Sequence, residues 1–211
     1  MQATKVFHKN CDVTGKRYVL NQGGTRSGKT VSLMQVAYFL AYNHRDKPLT
    51  ISVASETMPH LRRGAMKDFF DFLNRENIYN PSSFNKTNFV YTIGKAKIEF
   101  FSVDSPDRVH GPSRDYLFCN EIQNWKYETF FHLAQRTAIS IYADWNPTHE
   151  FFIYPEFINN KQYSPDLALI KSTIFDNDYC PENIKKDVLL RAERDANYKR
   201  VYLDGEIGSI E

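Results

Sequence analysis

The sequence has few cysteines, no marked excess of charge and no long apolar run. Its three cysteines, Cys11, Cys119 and Cys180, lie far apart and match neither a disulfide framework nor the spacing of metal ligands. We expect reduced thiols, as in a reducing cytoplasm. No secretory signal is evident, and no apolar run reaches the roughly 18 residues that cross a bilayer. We therefore expect a soluble protein without membrane contact.

The charge balance and composition are those of an ordinary globular domain. The 27 lysines and arginines nearly cancel the 25 aspartates and glutamates, which leaves a formal net charge of +2. This balance neither favours nor excludes nucleic acid, because a protein can bind DNA through local basic patches. The length of 211 residues fits one domain, and 31 aromatic residues (16 Phe, 13 Tyr, 2 Trp) can fill a sizeable core.

A phosphate-binding loop pattern, G-x-x-x-x-G-K-T, occupies residues 23–30. Glycines let successive backbone N–H groups point at one anion, and the lysine can reach the β- and γ-phosphates. The threonine hydroxyl can bind Mg²⁺. A β-prone run (17–20) precedes the loop and an apolar helix candidate (31–41) follows it, as the motif requires. The predicted nucleotide-binding residues are Gly23, Gly24, Thr25, Arg26, Ser27, Gly28, Lys29 and Thr30.

A second candidate motif is the apolar run 116–119, which is typical of a central strand and ends in Asn120 and Glu121. A carboxylate at a strand end beside a phosphate loop can polarise the attacking water, so Glu121 is the predicted catalytic residue. Asn120 stands where ATPases of this class usually have an aspartate that helps to hold Mg²⁺. Its carbonyl can still bind the ion but lacks the charge, and Asp115 lies at the wrong end of the strand.

Strand-like and helix-like segments alternate along the chain, which predicts an α/β fold with a mainly parallel central sheet flanked by helices. Further strands are expected at 49–53, 88–91, 97–101, 139–143 and 167–173, and one helix with a continuous apolar stripe at 58–73. In such sheets ligands bind at the carboxyl ends of the strands. The phosphate loop, Glu121 and Asn146 all follow predicted strands, so we expect them to meet there. Asn146 can then sense the γ-phosphate.

The ordered motifs resemble the ATPase domain of the large terminase subunit of tailed phages. The motifs that carry the resemblance are residues 23–30, 107–111, 118–121, 144–147 and 173–177. Residues 202–208 also resemble the end of that domain, so the likeness covers roughly residues 15–208. The phosphate loop is common to many ATPases, whereas the ordered set is fairly specific.

The resemblance implies a P-loop ATPase of the additional-strand, catalytic-glutamate type, which uses ATP and Mg²⁺ to drive double-stranded DNA into a procapsid. Lys29 and Thr30 would hold phosphate and Mg²⁺, with Asn120 as a weaker metal ligand, and Glu121 would be the catalytic glutamate. Arg26 would match an arginine of the family's phosphate loop that either stabilises transition-state charge or reports the nucleotide state. Asn146 would fall in the motif that couples hydrolysis to DNA movement.

The resemblance also implies partners and a location. The partners would be double-stranded DNA, the portal protein and the small terminase subunit, with the chain in a homo-oligomeric ring when assembled and monomeric in isolation. The location would be the host cytoplasm, at the procapsid portal. A full large subunit adds a nuclease domain with clustered carboxylates and two metal ions. No separate carboxylate cluster is evident, so we expect a single ATPase domain over 1–211 and no DNA cleavage, with the nuclease excised or on another polypeptide.

Other functions remain open from the sequence alone. A P-loop small-molecule kinase has a similar length, although no arginine-rich lid segment is evident. A nucleotide-binding scaffold with weak hydrolysis is favoured only by the asparagine at position 120. A helicase would be expected to have a second motor domain. Stimulation of turnover by DNA separates the packaging ATPase from the kinase.

Overall fold

One mainly parallel sheet forms the centre of the computed structural model, which describes residues 1–104 and 111–209. Its strands within the described residues are β1 Tyr18–Gly23, β2 Leu49–Ser55, β3 Phe84–Asn85, β4 Val90–Ile93, β5 Ala96–Ser102, β6 Arg114–Cys119, β7 Thr137–Trp145 and β8 Leu167–Ser172. Their order across the sheet is β3-β4-β5-β2-β6-β7-β1-β8. Only the pairs β3/β4 and β4/β5 are antiparallel among these strands. The predicted fold class is confirmed.

Helices cover both faces of this sheet. They are α1 Lys5–Asp12, α2 Lys29–Asn43, α3 Met58–Arg63, α4 Ala65–Arg75, α5 Tyr127–Gln135, α6 Glu182–Ala192 and α7 Ala196–Tyr198. Short 3₁₀ or π turns lie at 81–83, 122–124, 154–158, 164–166, 174–176 and 199–203. Across the described ranges, no helix has the length and apolar character needed to span a membrane.

Two hydrophobic clusters hold the layers together, one on each face of the sheet. Val19 and Leu20 are consecutive in β1 and belong to different clusters, because successive strand residues point to opposite faces. The first cluster packs α2 and α4 on the sheet through residues such as Phe69, and the second packs α5 through residues such as Phe130. With both faces covered, the strand ends are where a ligand has access to the sheet.

The region predicted as one helix over 58–73 is instead two helices, α3 and α4, which break at Gly64. Thr57 caps α3 by accepting a hydrogen bond from the His60 N–H. A side chain at position 64 would lie 3.0 Å from the His60 carbonyl oxygen and 3.2 Å from Oδ1 of Asn120, so glycine permits a close approach at the break. The start of α4 is thereby placed beside the end of β6. Residues 107–110 of the motif named above lie outside the described residues.

Candidate active site

The phosphate loop joins the end of β1 to the start of α2. Gly28 precedes the helix with φ at 86°, a left-handed conformation that strongly favours glycine. Gly24 lies against the backbone of Tyr202, where a Cβ atom would collide with the Tyr202 carbonyl oxygen. The loop backbone is therefore shaped from within by Gly28 and supported from outside by the 199–203 turn. The first N–H groups of α2 face the loop, the arrangement that binds anions.

Lys29 is the first residue of α2, and its ammonium group is buried within the loop. Nζ donates hydrogen bonds to the carbonyl oxygens of Gly23 (2.7 Å) and Gly24 (2.9 Å), to Oγ of Ser27 (3.4 Å) and to Oδ1 of Asn146 (3.1 Å). The bond to Asn146 ties the end of β7 to the loop. The lysine charge is thus held in place by the loop and by Asn146.

Burial lowers the pKa of Lys29 to about 8, and the negative charges of Asp144 and Glu121 oppose this shift. A buried ammonium favours an added anion, because a phosphate restores the electrostatic stabilisation that water no longer provides. The loop therefore presents a cation whose charge is stabilised by ligand binding.

The ends of β6 and β7 place Asn120, Glu121 and Asp144 near the loop. β6 and β7 are adjacent and parallel, with Cys119 paired to Ala143, so Asn120, just past β6, lies level with Asp144 near the end of β7. Asp144 Oδ2 accepts a hydrogen bond of 2.7 Å from Oγ1 of Thr30, and Asp144 Oδ1 accepts one of 2.8 Å from the backbone N–H of Glu121. Asp144 is 2% exposed. Asp144 was not predicted as a site residue, although an acidic residue near the end of a buried strand was a usable signal.

Glu121 has a backbone conformation that sets it apart from its neighbours. Its φ and ψ of 52° and 51° are left-handed, which is uncommon for a residue with a side chain and is concentrated at functional sites. The carboxylate is 47% exposed, and its Oε2 lies 3.8 Å from Nδ1 of His60. Burial, followed by the charge of Asp144, raises the pKa of Glu121, whereas His60 and Lys29 oppose the rise. A raised pKa suits a group that accepts a proton.

These groups surround one cleft of about 300 Å³. Its lining includes the predicted residues Thr25, Arg26, Ser27, Gly28, Lys29, Thr30, Glu121 and Asn146. Gly23, Gly24 and Asn120 lie behind this surface and are not part of the lining. Arg26 adopts φ of 68°, and its carbonyl accepts a hydrogen bond from Nδ2 of Asn177, another lining residue.

Asp68 on α4 also lines the cleft and was missed from the sequence, where it reads as an ordinary polar position on an amphipathic helix. Burial raises the pKa of Asp68 to about 6, Lys67 opposes this shift, and Asp144 adds to it. The ionised form of the Asp68 side chain is therefore destabilised in the folded protein. A third acidic group at the cleft adds to the negative potential that a cation would neutralise.

We expect Asp68→Asn to stabilise the protein at neutral pH. The folded pKa of about 6 exceeds the unfolded value of about 4, so wild-type stability falls as pH rises between these values and stays low above them. The variant avoids this loss and should gain about 2 kcal/mol at pH 8 and less at pH 5. Urea unfolding at both pH values measures the difference. Asp71→Asn on the same helix is the matched control, and equal shifts in both variants would contradict the prediction.

The family comparison matches nearly the whole chain. The model of the family described as phage terminase large subunit matches residues 15–206. No curated protein matches the sequence.

Solved structures resemble the fold. The large terminase of a thermophilic bacteriophage has a TM-score of 0.77 at 15% identity, covering 98% of this chain and 53% of that protein. The complex of the same terminase with ATP-γ-S has a TM-score of 0.74 at 15% identity, covering 94% of this chain and 50% of that protein. The large terminase ATPase domain of Thermus phage P74-26 has a TM-score of 0.62 at 12% identity, covering 92% of this chain and 90% of that domain. The chain thus spans about half the length of the first of these proteins, and identities this low establish the fold alone.

Proposed function

Because the chain belongs to the phage terminase large subunit family, we propose that it hydrolyses ATP to drive double-stranded DNA into a procapsid. The observation that carries this proposal is the convergence of Lys29, Thr30 and Glu121 on one cleft at the carboxyl ends of parallel strands. Hydrolysis of a nucleoside triphosphate requires groups that bind its phosphates and a nearby carboxylate that activates water, and this cleft has both.

In the proposed reaction the loop N–H groups and Lys29 bind the β- and γ-phosphates. Glu121 orients a water molecule and accepts a proton from it as the water oxygen bonds to the γ-phosphorus. The bond from that phosphorus to the β–γ bridging oxygen breaks, and ADP leaves with the electron pair. Arg26, which lines the cleft, neutralises charge that builds up on the transferred phosphoryl group.

The oxygen donors at the loop fit Mg²⁺, because Oγ1 of Thr30 and a carboxylate oxygen of Asp144 lie side by side. The ion, when bound with ATP, supplies charge stabilisation for the phosphates. Asn146 accepts a hydrogen bond from Lys29 and lies at the end of β7, so it is placed to report phosphate occupancy to that strand. We propose that this link couples hydrolysis to DNA movement.

The proposal extends to the assembly. The partners are double-stranded DNA, the portal protein and the small terminase subunit, and the working form is a homo-oligomeric ring at the procapsid portal in the host cytoplasm. Residues 1–211 serve as a single ATPase domain that does not cut DNA. The ATP-γ-S complex of the thermophilic bacteriophage terminase supports a nucleotide site in this fold.

We expect the chain to release phosphate from ATP in the presence of Mg²⁺, and linear double-stranded DNA to increase the rate. The assay measures phosphate with and without DNA over a range of protein concentrations, since rings complete their sites at higher concentration. DNA stimulation should fall with added salt, because contacts to DNA phosphates release counterions. The DNA recovered from the assay should be intact.

Other outcomes identify the competing functions. Transfer of the γ-phosphate to a small acceptor rather than to water would establish a kinase and overturn the packaging proposal. Nucleotide binding without turnover at any protein concentration, with DNA present, would identify a scaffold. Shortened DNA would contradict the expectation that this chain carries no nuclease activity.

A further inference from the structure

The side chain of Asn120 is uncharged, and its hydrogen bonds leave it unavailable as a metal ligand of the proposed site. Its Oδ1 accepts a hydrogen bond of 2.9 Å from Oγ of Ser55, on the side of β2. Its Nδ2 donates to Oδ1 of Asp144 at 3.1 Å. Asn120 is 6% exposed and does not line the cleft. Both ends of the amide are therefore engaged, and the end that faces Asp144 is a donor, which cannot bind a cation.

The carboxylate of Asp144 occupies the position where a metal ligand is needed. β7 lies between β6 and β1, and Asp144 pairs in register with Asn21 of β1, two residues before the phosphate loop. One of its oxygens is 2.7 Å from Oγ1 of Thr30. A threonine hydroxyl and a carboxylate, completed by phosphate oxygens and water, form the type of site that Mg²⁺ prefers with nucleotides.

The charge of Asp144 lacks a direct counter-ion. Its oxygens accept hydrogen bonds from Thr30, from the Glu121 backbone and from Asn120, which orient the group. Among the residues that the structure describes, no ion pair includes this carboxylate. A buried carboxylate is costly unless positive charge compensates it. The charge of Lys29 interacts with Asp144 but makes no direct ion pair with it, so a divalent cation at the loop would add compensation.

We infer that Asp144 at the end of β7, rather than the residue at the end of β6, supplies the anionic oxygen that binds Mg²⁺ beside Thr30. Asn120 is then a positioning residue that holds Asp144 through its amide N–H groups. The amide thus stands at the end of β6 and the acid near the end of the adjacent strand β7. This inference rests on the proposed nucleotide site.

The position of the carboxylate predicts a specific pattern of Mg²⁺ dependence. We expect Mg²⁺ to strengthen binding of a fluorescent N-methylanthraniloyl-ADP to the wild-type chain. Asp144→Asn should reduce this Mg²⁺-dependent gain by about tenfold or more, with little change in binding in EDTA. The double variant Asn120→Asp with Asp144→Asn keeps one carboxylate in the pair but should not recover the gain, because position 120 is buried and does not line the cleft. Binding of Mn²⁺ in the presence of ADP, followed by electron paramagnetic resonance, should show the same order.

Controls separate the inference from the nucleotide site itself. Glu128→Gln removes an exposed carboxylate on α5, outside the cleft lining, and should retain the Mg²⁺-dependent gain. Thermal unfolding of each variant checks the fold, and the double variant remains informative where Asp144→Asn alone is unstable. An unchanged Mg²⁺ gain in folded Asp144→Asn, or full recovery of the gain in a folded double variant, would overturn the inference while leaving the nucleotide site intact. Absence of nucleotide binding by the wild-type chain in both Mg²⁺ and EDTA would overturn the proposed function and the inference together.

Discussion

Replacing Glu121 by glutamine should lower ATP hydrolysis by about 10³-fold, within the range expected for loss of a general base. Glutamine keeps the shape of the side chain but cannot accept the proton of the attacking water. ATP binding should change little, because the phosphate contacts come from the loop and Lys29 on another element. Phosphate release and ATP affinity, measured on the same preparation, separate the two effects.

The folding stability of this variant provides an independent check. Burial and the charge of Asp144 raise the pKa of Glu121, so the ionised carboxylate is less stable in the folded protein than in water. Glu121→Gln should therefore unfold at the same temperature as the wild-type protein at pH 8, or at a higher one. Glu128→Gln on α5 is a control in which hydrolysis stays at the wild-type level. Retained hydrolysis in folded Glu121→Gln would remove Glu121 from the catalytic role.

Local patterns in the sequence predicted the fold and the centre of the site. The glycine spacing of the phosphate loop and the apolar run that ends at Cys119 each depend on a few consecutive residues. The phosphate loop follows β1, and Asn120 and Glu121 follow β6. Because these strands are parallel, their carboxyl ends lie at the same edge of the sheet, so the two motifs meet there. The long crossover connection through α2 fits parallel strands, whereas the order of the strands does not follow from it.

The roles of Asn120 and Asp144 depend on long-range register, which the sequence does not reveal. Asn120 has the expected spacing from the loop, but its amide is held by Ser55 of β2. Asp144 reaches Thr30 because β7, not β6, is the strand beside β1. Only the sheet order and the pairing of the two strands show which side chain faces the loop.

The placement of Asp68 depends on a helix break. A continuous helix over 58–73 accounts for the apolar positions equally well, so periodicity alone did not indicate a change of direction at Gly64. The break lets α4 begin beside Asn120 and brings Asp68 to the cleft. A tertiary contact, namely the close approach of Gly64 to its neighbours, decided the local structure.

Replacing Lys29 by alanine should produce the second large effect, a loss of ATP hydrolysis of at least about 10²-fold, comparable to removal of a preorganised charge from an active site. The ammonium is held by four hydrogen bonds to oxygen atoms that surround the phosphate position. Alanine removes the charge and leaves those oxygens facing the phosphates. ATP affinity should fall together with hydrolysis, in contrast to Glu121→Gln.

The pH dependence of ATP binding tests whether the charge of Lys29 causes this effect. Burial lowers the pKa of Lys29 to about 8, so above that pH a phosphate must bind together with a proton. The dissociation constant of the wild-type chain for ATP should then rise by up to about tenfold per pH unit above pH 8. Lys29→Ala should bind weakly and show no such dependence, whereas Lys185→Ala on α6 should follow the wild-type curve. A flat wild-type curve from pH 8 upward would mean that the lysine keeps its full charge despite burial, with the carboxylates of Asp144 and Glu121 offsetting the loss of water.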